Sequence, residues 1–150
     1  MQIIKDKAII EDTFTSLADD AEFTGGDISV SLARWKRDRD RLLAHSGKVG
    51  VRLHAADAVS ELADDLQHIP LIELDFADFA DGRSFSQSWL LRGRYRYTGE
   101  IRAVGHYLPD QVYYLSRVGV NAFTPPKNEQ LQMIQAHLHD FSVKYQPSIN

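Results

Sequence analysis

Between Ile28 and Phe123 the chain alternates strand-like runs with helix-like segments about five times, and such a rhythm lays the strands parallel with right-handed crossovers. Ile28, Val30 and Leu32 alternate with Ser29 and Ser31, the pattern of a half-buried strand. A charged helix over residues 35–44 and a strand over 48–53 follow. Asp57 is placed to cap a helix with Val59, Leu62, Ala63 and Leu66 on one face, before Pro70 introduces a strand over 71–76. Ser84-Phe85-Ser86-Gln87 has the form of a capping box and predicts a helix to about residue 94. Next come a strand over 100–105, a helix from Pro109 to Arg117 stopped at Gly119, and a short strand over 121–123. After Pro125-Pro126, a final helix carries Leu131, Ile134, Leu138 and Phe141 on one side.

Residues 1–27 read as an N-terminal arm: Ile3-Ile4 and Ala8-Ile9-Ile10 around Lys5-Asp6-Lys7 suit a hairpin, and Gly25-Gly26 marks the junction. The expected organisation is one α/β domain over residues 1–150, with a βα-unit core over 28–150 and a mainly parallel sheet. Two architectures fit. One is a flavodoxin-like open sheet with helices on both faces; the other is an incomplete TIM-type barrel. Arg52, Glu73, Asp75 and Arg102 fall inside strands that a sheet covered on both faces would make apolar. They suit a barrel mouth or crevice, or else they pair internally or lie on an edge. A part-barrel leaves a sheet edge that a second copy could cover, so a homo-oligomer is expected.

The 150 residues, 43% hydrophobic and 25% charged, are enough for a real core in one domain. A formal net charge of −4 leaves no basic excess for holding nucleic acid. No apolar run has a membrane span's length, and Met1-Gln2-Ile3-Ile4-Lys5-Asp6 lacks a signal peptide's basic start and apolar stretch, so the expected compartment is the cytoplasm. Cysteine is absent, which excludes thiolate-held iron–sulfur clusters, cysteine zinc sites and thiol chemistry. The six histidines show no strong ligand spacing, so no metal is expected. No glycine-rich phosphate motif identifies a nucleotide, and the cofactor, if there is one, is unknown.

Candidate functional residues gather between Asp81 and Phe123. Asp81-Gly82-Arg83-Ser84 leaves a strand and opens a helix, a geometry in which free backbone N–H groups hold a small oxyanion and Arg83 completes the site. The plainer reading is a turn in which Asp81 pairs with Arg83. Ser86, Arg92 and Arg102 extend the expected anion-binding set, with a solvated helix end and a pairing from Glu100 as the alternative for part of it. His106, just past a strand end, and Asp110, in a first helical turn, are weak candidates for acid–base catalysis; a loop histidine and a dipole-stabilised carboxylate are the structural alternatives.

The run Asp81-Gly82-Arg83, Ser86, Leu91-Arg92, Gly99-Glu100, Arg102-Ala103-Val104-Gly105, Asp110-Gln111, Arg117 and Gly119-Val120-Asn121-Ala122-Phe123 resembles the bacterial domain-of-unknown-function family numbered 934. The likeness continues loosely through Leu74-Asp75-Phe76 and Gly50-Val51 back to about Ile28. The family is described as an oxidoreductase involved in sulfite reduction, a label resting on neighbouring sulfate-assimilation genes. The resemblance therefore implies a pathway, with a sulfite reductase component as partner. This chain departs from the family pattern at His106, where an acidic residue is usual, and at Val118, where cysteine is frequent. With no thiol, an accessory or oxyanion-binding component is the first expectation. An oxidoreductase using a bound cofactor that no motif reveals is the alternative, so whether the chain catalyses a reaction stays open.

Overall fold

The computed structural model describes the backbone of residues 1–144 and the side chains through residue 139. Among these residues, eight strands form one sheet: β1 (Gln2–Lys5), β2 (Ala8–Glu11), β3 (Phe14–Ser16), β4 (Asp27–Ser31), β5 (Val49–His54), β6 (Leu71–Phe76), β7 (Glu100–Gly105) and β8 (Ala122–Phe123). Their spatial order is β2-β1-β8-β7-β6-β5-β4-β3. Neighbours from β3 to β8 pair parallel, while β1 is antiparallel to both β2 and β8. The α/β class stands, but the sheet is mixed and not the mainly parallel one expected, because the N-terminal hairpin joins it through β1.

The edge strands β2 and β3 are separated in the chain by Asp12 and Thr13 alone. The three Cα steps from Glu11 to Phe14 reach at most about 11 Å. Seven strand spacings laid flat would hold the same edges roughly 33 Å apart. The sheet must therefore curl, and it forms a half-barrel. Of the two architectures expected, this is the part-barrel and not the open flavodoxin-like sheet.

Period-2 alternation sorts the strand residues between the two faces. Ile28, Val30, Val51, Leu53, Ile72, Leu74 and Ile101 face the helices α1 (Leu32–Arg37), α2 (Arg39–Leu43), α3 (Arg83–Gly93), α4 (Val112–Arg117) and α5 (Leu131–Lys144). They join Trp35, Leu42, Leu91, Leu115, Ile134 and Leu138 in one buried cluster. The alternate positions, among them Ser29, Arg52, Glu73 and Arg102, form the other face. Arg102 on β7 reaches Asp12 beyond the sheet edge, and Arg52 on β5 reaches Ser16 on β3. Contacts that skip over intervening strands arise only on the inside of a curl, so this polar face is the concave one.

Several local expectations change. The helix expected over 35–44 is two short helices starting earlier, because Ser31 Oγ accepts from Arg34 N at 3.1 Å and caps α1. The segment after Asp57 forms two 3₁₀ turns, Val59–Leu62 and Leu66–His68, instead of an α-helix. Asp65, between them, is tied to Trp35 Nε1 at 2.9 Å and to Arg39, and that anchor fixes the turn while Val59, Leu62 and Leu66 still reach the core. α3 begins at Arg83 behind Gly82, with no side-chain cap; Ser84 lies inside the helix, fully buried, its hydroxyl unbonded. The helix from Pro109 opens as a 3₁₀ turn, Pro109–Gln111, and continues as α4. Strand β3 was not expected. Ile134 and Leu138 are buried on α5, while the Phe141 side chain expected beside them lies outside the described residues. Among the described residues, no helix is long and apolar enough to cross a membrane.

Candidate functional site

The concave face holds a cavity of about 450 Å³, whose lining includes Phe14 and Ser16 of β3, Ser29 of β4, Arg52 of β5, Glu73 and Asp75 of β6, and Asp12 from the link between the sheet edges. Strand register explains the gathering, since Arg52 pairs with Glu73 and Glu73 with Arg102 in one row across β5, β6 and β7. One row higher, His54 pairs with Asp75. His54 marks the rim, with Nε2 at 3.5 Å from Asp75 and Nδ1 at 3.6 Å from Asp57. The rim lies at the C-terminal end of the parallel strands, the end at which α/β sheets place their ligands, while the charged row sits nearer mid-strand.

The charges in the row are unequally satisfied. Arg102, 2% exposed, donates to Glu100 Oε2 from Nε at 2.8 Å and to Asp12 Oδ1 from Nη1 at 2.9 Å, and its guanidinium lies over the Phe14 ring. Arg52 donates to the Ser16 hydroxyl and more distantly to Leu17 O, and it makes no ion pair among the described residues. Glu73 is 7% exposed and its Oε1 has no hydrogen-bond partner. Burial pushes the Glu73 carboxyl above the ordinary glutamate range, opposed by Ser29 and by the charges of Arg52 and Arg102. The Ser29 hydroxyl leans toward this carboxyl but remains outside hydrogen-bonding geometry. Arg52 and Glu73 thus stand side by side without closing on each other. Ordinary cross-strand neighbours of opposite charge pair up, so the gap is the chemically unusual feature of this face.

The residues of the Asp81–Phe123 run divide among several places. Arg92 is a clamp: Nε donates to Gly119 O at 2.9 Å, Nη1 to Tyr97 O at 2.8 Å and Gly99 O at 2.7 Å, and Nη2 to Asn121 Oδ1 at 3.3 Å. Gly119 has φ +107°, and a side chain there would strike the Arg92 stem. Gly105 has φ +89°, and a side chain there would meet Phe76 O and Asp75. Arg83 is exposed and held by Asp81 at 2.7 Å; its guanidinium holds the Asp81 carboxyl down to about 2. Ser86 is exposed on α3 behind Gly82. Glu100 pairs with Arg102 and with Lys5 at 3.4 Å. Gln111 ties two loops by accepting from Leu108 N and donating to Phe79 O. Arg117 lies over the Tyr113 ring. His106 and Asp110 are exposed in the connection after β7. Arg83, Arg92 and Arg102 therefore do not converge on one point, and of the expected anion-binding residues Arg102 alone reaches the concave face.

Ser29, Arg52 and Glu73 were missed as site residues, although the strand charges did single out Arg52 and Glu73. Their common face follows from alternation and register, which place them together only once the strands are ordered. A larger groove of about 630 Å³ lies between the Leu66–His68 turn and residues 95–99. Its charged lining residues Asp64, His68 and Arg96 are exposed, so the buried, unsatisfied chemistry belongs to the smaller concave cavity.

A model of a bacterial protein family of unknown function, DUF934, matches residues 50–150. The chain belongs to this family. The match takes in β5 to β8, with Arg52, Glu73 and Arg102, whereas Asp12, Ser16 and Ser29 come from residues ahead of it. Comparison with curated proteins gives no match.

Proposed function

We propose that this chain binds a small oxyanion in its concave trough and acts as an accessory component of sulfite reduction. The observation that carries the binding reading is the gap between Arg52 and Glu73 on the wall of the cavity. A guanidinium without an ion pair offers two parallel donors to an oxyanion. A buried glutamic acid whose burial favours the neutral form offers a third, as an O–H donor. Arg102, already answered by Asp12 and Glu100, lends structure instead of a free charge. The Arg83 turn stays a second candidate surface for an anion, with its charge shared by Asp81.

The pathway rests on the family resemblance and the accessory role on the absence of cysteine. Titration with sulfite and sulfate should give saturable binding that weakens as salt rises, and Arg52→Gln should abolish it while Arg83→Gln leaves it intact. Loss with Arg83→Gln alone would move the site to the α3 turn. A deletion strain restored to growth by sulfide but not by sulfate or sulfite would support the pathway; normal growth on all three would sink it. Stimulation of purified sulfite reductase by this chain, without turnover of its own, separates accessory from enzyme.

A further inference from the structure

Among the described residues three carboxyl groups line the trough, and two have partners. Asp12 accepts from Arg102, and Asp75 stands 3.5 Å from His54 Nε2. Glu73 is buried, opens on the cavity and leaves Oε1 unbonded. The groups around it are Ser29 on β4, Arg52 on β5, Arg102 on β7, Asp12 on the edge link and Asp75 on its own strand. Because Asp12 and Glu100 answer the charge of Arg102, and Glu11 pairs with the ammonium of Met1 at 3.3 Å, Arg52 is the trough cation among the described residues that no carboxylate answers. One guanidinium does not balance both an ionised Glu73 and a dianion in the same cavity.

Resting on the oxyanion reading above, we propose that a divalent oxyanion enters the trough together with one proton, which resides on Glu73. The carboxylic O–H donates to one oxygen of the anion while Arg52 holds the others. The proton comes from solvent, so the complex gains one positive charge equivalent along with the dianion. Burial already disfavours the ionised form of Glu73, which makes this the carboxyl best prepared to accept the proton.

Sulfate is the discriminating probe, because it does not titrate near neutrality whereas sulfite does. Calorimetric titration of the wild-type chain with sulfate, in two buffers of different ionisation heat and on the alkaline side where Glu73 is ionised in the free protein, should show uptake of close to one proton. Affinity should fall about tenfold per pH unit once Glu73 is ionised in the free protein. Glu73→Gln, whose amide keeps a donor, should bind without proton uptake and without that pH slope. Sulfate binding with no buffer-dependent heat and no pH slope would overturn the proton coupling and leave the oxyanion site standing. Absence of saturable binding, or binding unchanged in Arg52→Gln, would overturn both. The buffer comparison needs no variant, so a Glu73 variant that folds poorly does not spare the proposal.

Discussion

Glu73 and Arg92 show how charged side chains drawn into a fold can serve opposite ends. Arg92 spends its guanidinium on the backbone carbonyls of residues 97, 99 and 119 and so joins the end of α3 to the strands β7 and β8. Arg92→Ala should leave these partly buried acceptors unmet and cost about 3 kcal/mol in urea unfolding. Arg92→Lys should recover little, since an ammonium does not span the fork. A loss below about 1 kcal/mol would remove the clamp from the account. Glu73 has the reverse character. Its folded-state pKa is raised, so the fold favours its protonated form, and stability falls as pH rises from the unfolded glutamate range through the folded value. Glu73→Gln should therefore be more stable than the wild type at neutral pH, with the difference shrinking toward zero in acid. Equal stabilities at neutral pH would mean the carboxyl bears no burial cost.

At the scale of elements, α3 tests whether a sequence signal describes the helix it announces. Ser84-Phe85-Ser86-Gln87 reads as a capping box, yet Gly82 occupies the N-cap and the Ser84 hydroxyl is buried without a partner. Ser84→Ala should then be neutral or slightly stabilising, within about 0.5 kcal/mol by thermal or urea unfolding. A true cap would cost about 1 kcal/mol on the same change. The helix starts two residues early because Asp81 Oδ1 accepts from Arg83 N at 3.0 Å and turns the chain before Ser84 is reached. A similar tertiary override shortens the segment after Asp57, where Asp65 is held by Trp35 and Arg39. The Asp65 carboxyl is kept below the ordinary aspartate range, first by its Arg39 hydrogen bond, so its contribution is present at neutral pH and lost as acid protonates it.

For the whole molecule, Asp12 joins what the sheet order separates. It lies between the edge strands and accepts from Arg102 Nη1 at 2.9 Å across the concave face. Asp12→Ala should cost about 3 kcal/mol by leaving a buried guanidinium with Glu100 alone. It should also raise hydrogen exchange in β2 and β3 ahead of the rest of the sheet. Uniform protection in the variant would show that the edge link does not depend on this pair. The same link weakens the edge argument for a homo-oligomer, because the two edges approach each other and β3 is only three residues long. The N-terminal hairpin and strands β4 to β8, with β6 at its bounds, were legible in the sequence, because apolar alternation and glycine or proline punctuation are local properties. So was the oddity of Arg52, Glu73, Asp75 and Arg102 inside strands. Their meeting place was not, since Arg52 becomes a neighbour of Glu73, and Arg102 of Asp12, only through strand register and the curl of the sheet. The sequence by itself determined which residues face the helices and which face away; the tertiary structure decided that the second set encloses a cavity, because a two-residue link draws its edges together.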